Sequence, residues 1–280
     1  MILRRLRLSR LGFACAGLFL LVAAACVLGP PLLRALAGLD GLRQDVGLGA
    51  APPSLRHWLG TDVLGRDLLV RTLEGGRITL AVGLTGAAVA LVIGVLYGAT
   101  AAYAGGLVDD AMMRVVDVLY ALPAIVFVIV LMAVLGSRSL LLLFALLGAV
   151  SWLTLARIVR TQVRSLAGAD FVVAARALGA SPARVLLRHI VPMTLGPVIV
   201  YATLAIPAVM LQEAFLSFLG LGVQAPRASL GTLIAEGAQQ IVVYPWLLAG
   251  PAALMVVTVL ALSFLGDALR DALDPRGEGR

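Results

Sequence analysis

The sequence contains no lysine: all 22 of its basic side chains are arginines. That absence excludes a phosphate-binding loop of the G-x-x-x-x-G-K-S/T type, a Schiff-base lysine and a Ser–Lys dyad. ATP hydrolysis by this chain alone is thereby excluded. Cysteine and histidine are nearly missing too, at two residues each. Cys15 and Cys26 share one apolar run, so they build neither a disulfide framework nor a metal site and read as small packing residues. His57 and His189 fall on opposite faces of the topology argued below, which removes a histidine-based zinc site; no metal site is expected. Charge is the last scarcity. Only 13% of residues are charged and 61% are apolar, against about 25% and about 45–50% in a soluble domain. A 280-residue chain with mean hydropathy +1.04 cannot hide that much hydrocarbon in its own core, so the bilayer is part of its solvent.

With so few charges, the gaps between them mark the spans. Arg10–Arg34, Arg77–Asp109, Asp117–Arg138, Arg138–Arg157, Arg188–Glu213 and Glu236–Asp267 enclose 23, 31, 20, 18, 24 and 30 uncharged residues. A helix needs about 20 apolar residues to cross the hydrocarbon. No alternating barrel pattern appears, and backbone groups in lipid must be paired internally. The expected fold class is an all-α polytopic membrane protein with six transmembrane helices. With the N-terminus inside, 14 of the 22 arginines fall on the inner face, including Arg4, Arg5, Arg7, Arg276 and Arg280. Six of the eight outer ones share a long loop with five acids. The count favours both termini on the cytoplasmic side. The net charge of +7 is then an orientation signal, with no nucleic acid as partner. The first apolar run exceeds a signal-peptide core and continues past Cys26 to Leu33, so it reads as a retained span.

In the outer stretch His57–Leu80, Thr61 or Asp62 can cap a helix that runs to Leu73 or Glu74 and ends at Gly75-Gly76. Asp62–Arg66 and Asp67–Arg71 stand at i,i+4 and Arg71–Glu74 at i,i+3. An amphipathic, charge-paired interfacial helix fits better than a cation site, because every acid has an arginine within a turn.

The inner stretch Arg157–Pro192 carries six arginines yet is not of low complexity. Asp170 can cap a short helix over 171–178, and Gly179 suits the left-handed residue that ends it. Ser181-Pro182 then restarts a helix, with Ser as N-cap and Pro at its first position. Arg184 and Arg188 share one face at i,i+4, and Pro192 interrupts the start of span 5. Two short helices and a tight turn make a docking knob; the alternative is a basic loop lying on anionic lipid.

Several strings, in order, resemble one family. Ala174-Ala175 followed by Gly179 and then Pro192 resembles the EAA loop of ATP-binding-cassette importer permeases. HWLGTDVLGRD with GGRITL, DFVVAARALGAS with RHIVP, LQEAFLSFLGLG (211–222) and LGDALRDALDPR (265–276) resemble the peptide/nickel branch, second-permease type, over nearly the whole chain. Val173 departs from it, standing where the family has the glutamate that names the loop. The resemblance implies a type I importer transmembrane domain, and a loop seated in a groove of a cytoplasmic ATPase. The residues concerned are Asp170, Ala174, Ala175, Arg176, Gly179, Ser181, Pro182, Arg184, Arg188 and Pro192. Gly60, Thr61, Asp62, Gly65, Arg66 and Asp67 match the outer signature. Implied partners are a homologous second permease, two ATPase subunits that carry ATP and Mg, and an extracytoplasmic substrate-binding protein. No cofactor is expected on this chain. Implied parts are residues 1–34 (tail and first span), 35–77 (outer loop), 78–272 (permease core with coupling loop 161–194) and 273–280 (inner tail).

Charges inside the membrane mark a pathway by default. Asp117 lies one turn from Arg114, which favours a local pair over a pathway role. Glu213 has no arginine within a turn; pairing across helices, lining the route and holding an outer gate all stay open. A short outer helix is expected near Ser229–Ile241. Cargo is open between di- or oligopeptides, nickel or a metal chelate, and glutathione-like solutes. An ion-coupled carrier, a channel and a membrane enzyme are weaker readings, since coupling-ion sites, a filter and a nucleophile–base cluster are not evident.

Overall fold

A computed structural model of the chain describes residues 10–136 and 139–273, and among these the architecture is entirely helical. Arg4, Arg5, Arg7, Arg138, Arg276 and Arg280 lie outside the described residues. The order is α1 (Arg10–Ala37), α2 (Leu68–Ala104), α3 (Gly106–Ala121), α4 (Ala124–Leu135), α5 (Leu140–Leu166), α6 (Asp170–Ala177), α7 (Pro182–Phe218), α8 (Leu230–Gln239) and α9 (Trp246–Leu273). Five of these, α1, α2, α5, α7 and α9, are long and apolar enough to cross a membrane. The sixth expected span is not one straight helix: α3 and α4 meet at 87°. Pro123 is the cause. It disfavours helical backbone in the residue before it, and Leu122 is extended at φ −80°, ψ 134°.

α2 is the centre of the bundle, packing on α5, α7, α1 and α9. At 37 residues it is about 55 Å long, more than the roughly 30 Å of hydrocarbon, so it projects past the bilayer core. Its glycines set how closely neighbours approach. A Cβ on Gly94 would meet Leu155 Cβ at 2.8 Å, and one on Gly98 would run into the Ala156 carbonyl. Small residues permit backbone-to-backbone packing of this kind in membranes.

The bundle has two unlike ends. The loop end carries residues 38–67, the start of α2 and α5, α8 and the start of α9. The knob end carries α6 and the start of α7. At the knob end, Ala99 and Ala102 of α2, Val159 and Val163 of α5, Val172 of α6 and Val185 and Ile190 of α7 form one buried cluster.

Pro192 does not interrupt α7. Residues Val185–Ile190 are π-helical, with the Val191 N–H bonded to the Leu186 carbonyl, and the helix runs on to Phe218. A proline cannot donate to the carbonyl four residues back. The turn before it widens to i→i+5 and the rod survives.

Candidate functional site

At the knob end, Ala169 rather than Asp170 is the N-cap of α6; Asp170 occupies the first turn, where its charge still suits the helix dipole. Val172 is wholly buried in the cluster described above, and Ala175 packs against it. The rest of α6 is open: Phe171, Val173 and Leu178 are exposed, Leu178 at 89%. Arg176 lies 5.4 Å over the Tyr103 ring at the end of α2, a cation–π contact. Gly179 has φ +79°, which L side chains rarely adopt. Its N–H bonds the Arg176 carbonyl at 2.9 Å, and the Ala180 N–H the Ala175 carbonyl at 3.1 Å. Ser181 is the N-cap and Pro182 the first residue of α7, although the Ser181 side chain makes no capping bond. Arg184 and Arg188 are exposed and form no ion pair among the described residues. The knob is therefore a short helix fixed through Val172 and Ala175, with exposed apolar and basic side chains.

Behind it lies a contact that no local pattern announces. Asp109, wholly buried near the start of α3, takes a two-pronged bond from Arg160 (2.6 and 3.0 Å) and forms an ion pair with Arg164 at 2.9 Å. Asp117 does not pair with Arg114; it bonds Arg157 of α5 at 2.7 Å. Sequence separations of 40 and 51 put both contacts beyond the reach of helical-turn spacing. Arg157, Arg160 and Arg164 recur on one face of α5, which was the available signal.

At the loop end the outer motif folds otherwise than its spacing suggests. The helix starts at Leu68, capped by Asp67 through a 2.8 Å bond from the Val70 N–H, and runs straight through Gly75-Gly76. Those glycines do not end it; they admit neighbours, with Gly75 against the Ser229–Leu230 backbone and Gly76 against Cys26. Asp62 collects the Leu64 and Arg66 N–H groups (2.9 and 3.0 Å), Arg66 Nε (2.7 Å) and Arg71. So Asp62–Arg66 pairs as the spacing implies, while Arg71 turns to Asp62 and Glu236, Asp67 to His57 (2.8 Å), and Glu74 to Arg34 (3.7 Å). Thr61 donates to the Gly49 carbonyl at 2.7 Å and accepts from the Ala51 N–H at 2.8 Å. Trp246 Nε1 donates to the Thr61 carbonyl. Gly60 and Gly65 have φ of +80° and +72°, and a Cβ on either would strike another strand of the loop. The motif is a self-satisfied clasp that ties residues 38–67 to the tops of α2 and α9.

Glu213, wholly buried in α7, accepts from Ser217 (2.8 Å) and Ser229 (2.6 Å) through one oxygen, while Oε2 has no partner among the described residues. Ser229 caps α8 in a reciprocal capping box with Thr232, and the next N–H, of Leu230, bonds Thr79 of α2 at 2.9 Å. Glu213 thus pins α8 across the gap between α7 and α2. Its i,i+4 serine was visible in the sequence; Ser229 and Thr79 were not. Beside this joint opens a cavity of about 600 Å³, reached by Ser217, Gln224, Arg227, Thr232, Glu236 and Gln240.

Comparison with known proteins places this arrangement. Residues 68–278 match the family model described as binding-protein-dependent transport system inner membrane component. The oligopeptide transport system permease protein OppC of Escherichia coli K12 is 46% identical over 275 residues, covering 98% of this chain and 89% of that protein. OppC of Haemophilus influenzae is 47% identical over 83% of this chain and 75% of its own length. The dipeptide permease DppC of Bacillus subtilis is 42% identical over 98% and 84%. Among solved structures, the inward-facing MetNI methionine ABC transporter superposes with a TM-score of 0.59 at 19% identity, over 74% of this chain and 96% of that one. That likeness supports the type I importer fold. The chain is a multi-pass protein of the inner membrane and belongs to the family of binding-protein-dependent transport system inner membrane components.

Proposed function

We propose that this chain is one of two permease subunits of an ATP-driven importer of di- or oligopeptides, coupled through residues 170–192 to a separate ATPase. One observation carries the coupling role: α6 is anchored through Val172 and Ala175 and leaves Phe171, Val173 and Leu178 exposed at the tip of the bundle. Peptide cargo is supported by the names of the relatives, oligopeptide and dipeptide permeases at 42–47% identity. The knob end faces the cytoplasm with both termini, in keeping with the arginine count, and the loop end faces the binding protein. The permease core is residues 78–272. The chain itself is non-catalytic, and ATP and Mg are held by two ATPase subunits. When these close, they draw together the α6 knobs of this chain and its homologous partner. Because α6, α7, α2 and α5 share one buried cluster, displacement of the knob moves the bundle as a body between inward- and outward-open states.

The test is Gly179→Val. A β-branched residue at φ +79° strains the turn by about 1–3 kcal/mol and re-aims the knob. Co-purification with the ATPase and peptide uptake should both fall sharply, while insertion into the membrane persists. Survival of both would sink the coupling role.

A further inference from the structure

A second cavity, of about 410 Å³, lies at the loop end beside the one next to Glu213. Volumes of this order suit small ligands. Its charged lining is Arg71, Glu74, Arg77 and Arg227. Arg71 is already neutralised by Asp62; Glu74 lies 3.7 Å from Arg34, which is bonded to Asp40 at 3.0 Å, so Glu74 offsets part of the Arg77 charge as well. Arg77 and Arg227 make no ion pair among the described residues, and both are exposed. The lining therefore keeps a surplus of positive charge, and neither Arg77 nor Arg227 gives its donors to a hydrogen bond among the described residues. Ile78 and Phe144 supply an apolar side to the same cavity. Arg227 also lines the larger cavity, where the side-chain amides of Gln239 and Gln240 offer donors and acceptors of the kind a peptide backbone matches. A guanidinium fork fits a carboxylate in two-pronged fashion. Two forks beside an apolar wall suit a carboxylate with a hydrocarbon side chain next to it.

We infer that Arg77 and Arg227 form a carboxylate-capture site at the mouth of the permease, which takes the C-terminal carboxylate of a peptide as the binding protein releases it. The inference rests on the peptide-importer reading and adds to it a preference for free over blocked C-termini, exerted by the permease itself. Two such arginines at a mouth also attract anions along the route, which favours hand-over from the binding protein.

The experiment uses the whole importer, with its second permease, ATPases and binding protein, reconstituted in vesicles. Uptake is measured for one peptide with a free C-terminus and for the same peptide amidated. The Arg77→Gln/Arg227→Gln double variant is compared with the natural sequence. The binding protein is common to both, so its own preference divides out of the ratio. The free-to-amidated ratio should fall roughly tenfold in the double variant, in line with loss of a charge-assisted hydrogen bond. The Arg77→Lys/Arg227→Lys variant, which keeps the charges and loses the forks, should fall between. An unchanged ratio overturns the site. So does an equal loss for both peptides, the pattern expected if these arginines instead hold acidic side chains of the binding protein. If the double Gln variant does not assemble, the single Gln variants and the Lys pair carry the measurement, and an unmoved ratio in all of them overturns the site. Failure of the natural importer to take up either peptide is a different result, since it removes the peptide reading first.

Discussion

Glu213 is a wholly buried carboxyl group near the loop end of the bundle, and what it does follows from who donates to it. Two serine hydroxyls, one a turn away and one on α8, meet on a single oxygen. Removing the acceptor leaves buried hydroxyls short of a partner, which costs about 1–3 kcal/mol. Glu213→Leu should therefore lower the thermal unfolding midpoint of the purified protein, whereas Glu213→Gln, which keeps an acceptor oxygen, should stay near the natural value. Equal midpoints for Leu and the natural residue would show that the bridge contributes nothing. Transport gives a separate answer: full uptake by an assembled Glu213→Gln variant would take the charge off the pathway. At this scale the sequence showed Ser217 four residues on and the lack of a local arginine. It could not show Ser229, 16 residues away, because a loop and a new helix intervene.

Among the elements, α2 is the one the others depend on, and its glycines explain why. Periodicity offered Gly75-Gly76 as a helix stop, since glycine weakens a helix in water. In the bundle the same residues are contact points, and the energy gained by close packing outweighs the propensity cost. Gly98→Val puts a branched side chain into the Ala156 carbonyl. Overpacking of this kind costs about 1–3 kcal/mol, and against a backbone atom that cannot swing aside the upper end applies. The variant should show a lower unfolding midpoint and reduced recovery from membranes, while Ala at Gly17, which has open space around it, should show neither. A Gly98→Val protein as stable as the natural one would remove the close α2–α5 approach. The knob was more legible. Gly179 and Ser181-Pro182 were readable as a helix stop and restart, because caps and turns are encoded within a few residues. Continuation of α7 through Pro192 was not readable, since it depends on the π turn that precedes it.

For the whole molecule, the proposed coupling role turns on what kind of contact would join it to an ATPase. The position that the family fills with glutamate is Val173 here, and it stands 55% exposed on α6, as Leu178 does at 89%. Docking built on Val173 and Leu178 draws on apolar burial, which salt does not screen as it screens exposed charge pairs. Association with the ATPase should accordingly persist when ionic strength is raised, as read by co-purification at low and high salt. Val173→Asp should weaken it, through the cost of burying an uncompensated charge. Loss of the natural complex in high salt, with Val173→Asp unaffected, would assign the docking to Arg176, Arg184 and Arg188 instead.

The sequence by itself determined that this chain lives in a bilayer, where its apolar runs lie, which short stretch makes a knob, and which family it joins. All of these follow from local quantities: composition, the length between charges, caps, turns and ordered motifs. Tertiary structure alone decided who pairs with whom. Arg71 faces Asp62 rather than its neighbours in the helical turn, Asp117 faces Arg157, and Asp109 gathers two arginines from another helix. Tertiary structure also brought Arg77 and Arg227 to one cavity from opposite halves of the chain. Where water is scarce, a charge takes the partner that packing delivers, and packing is a property of the assembled bundle.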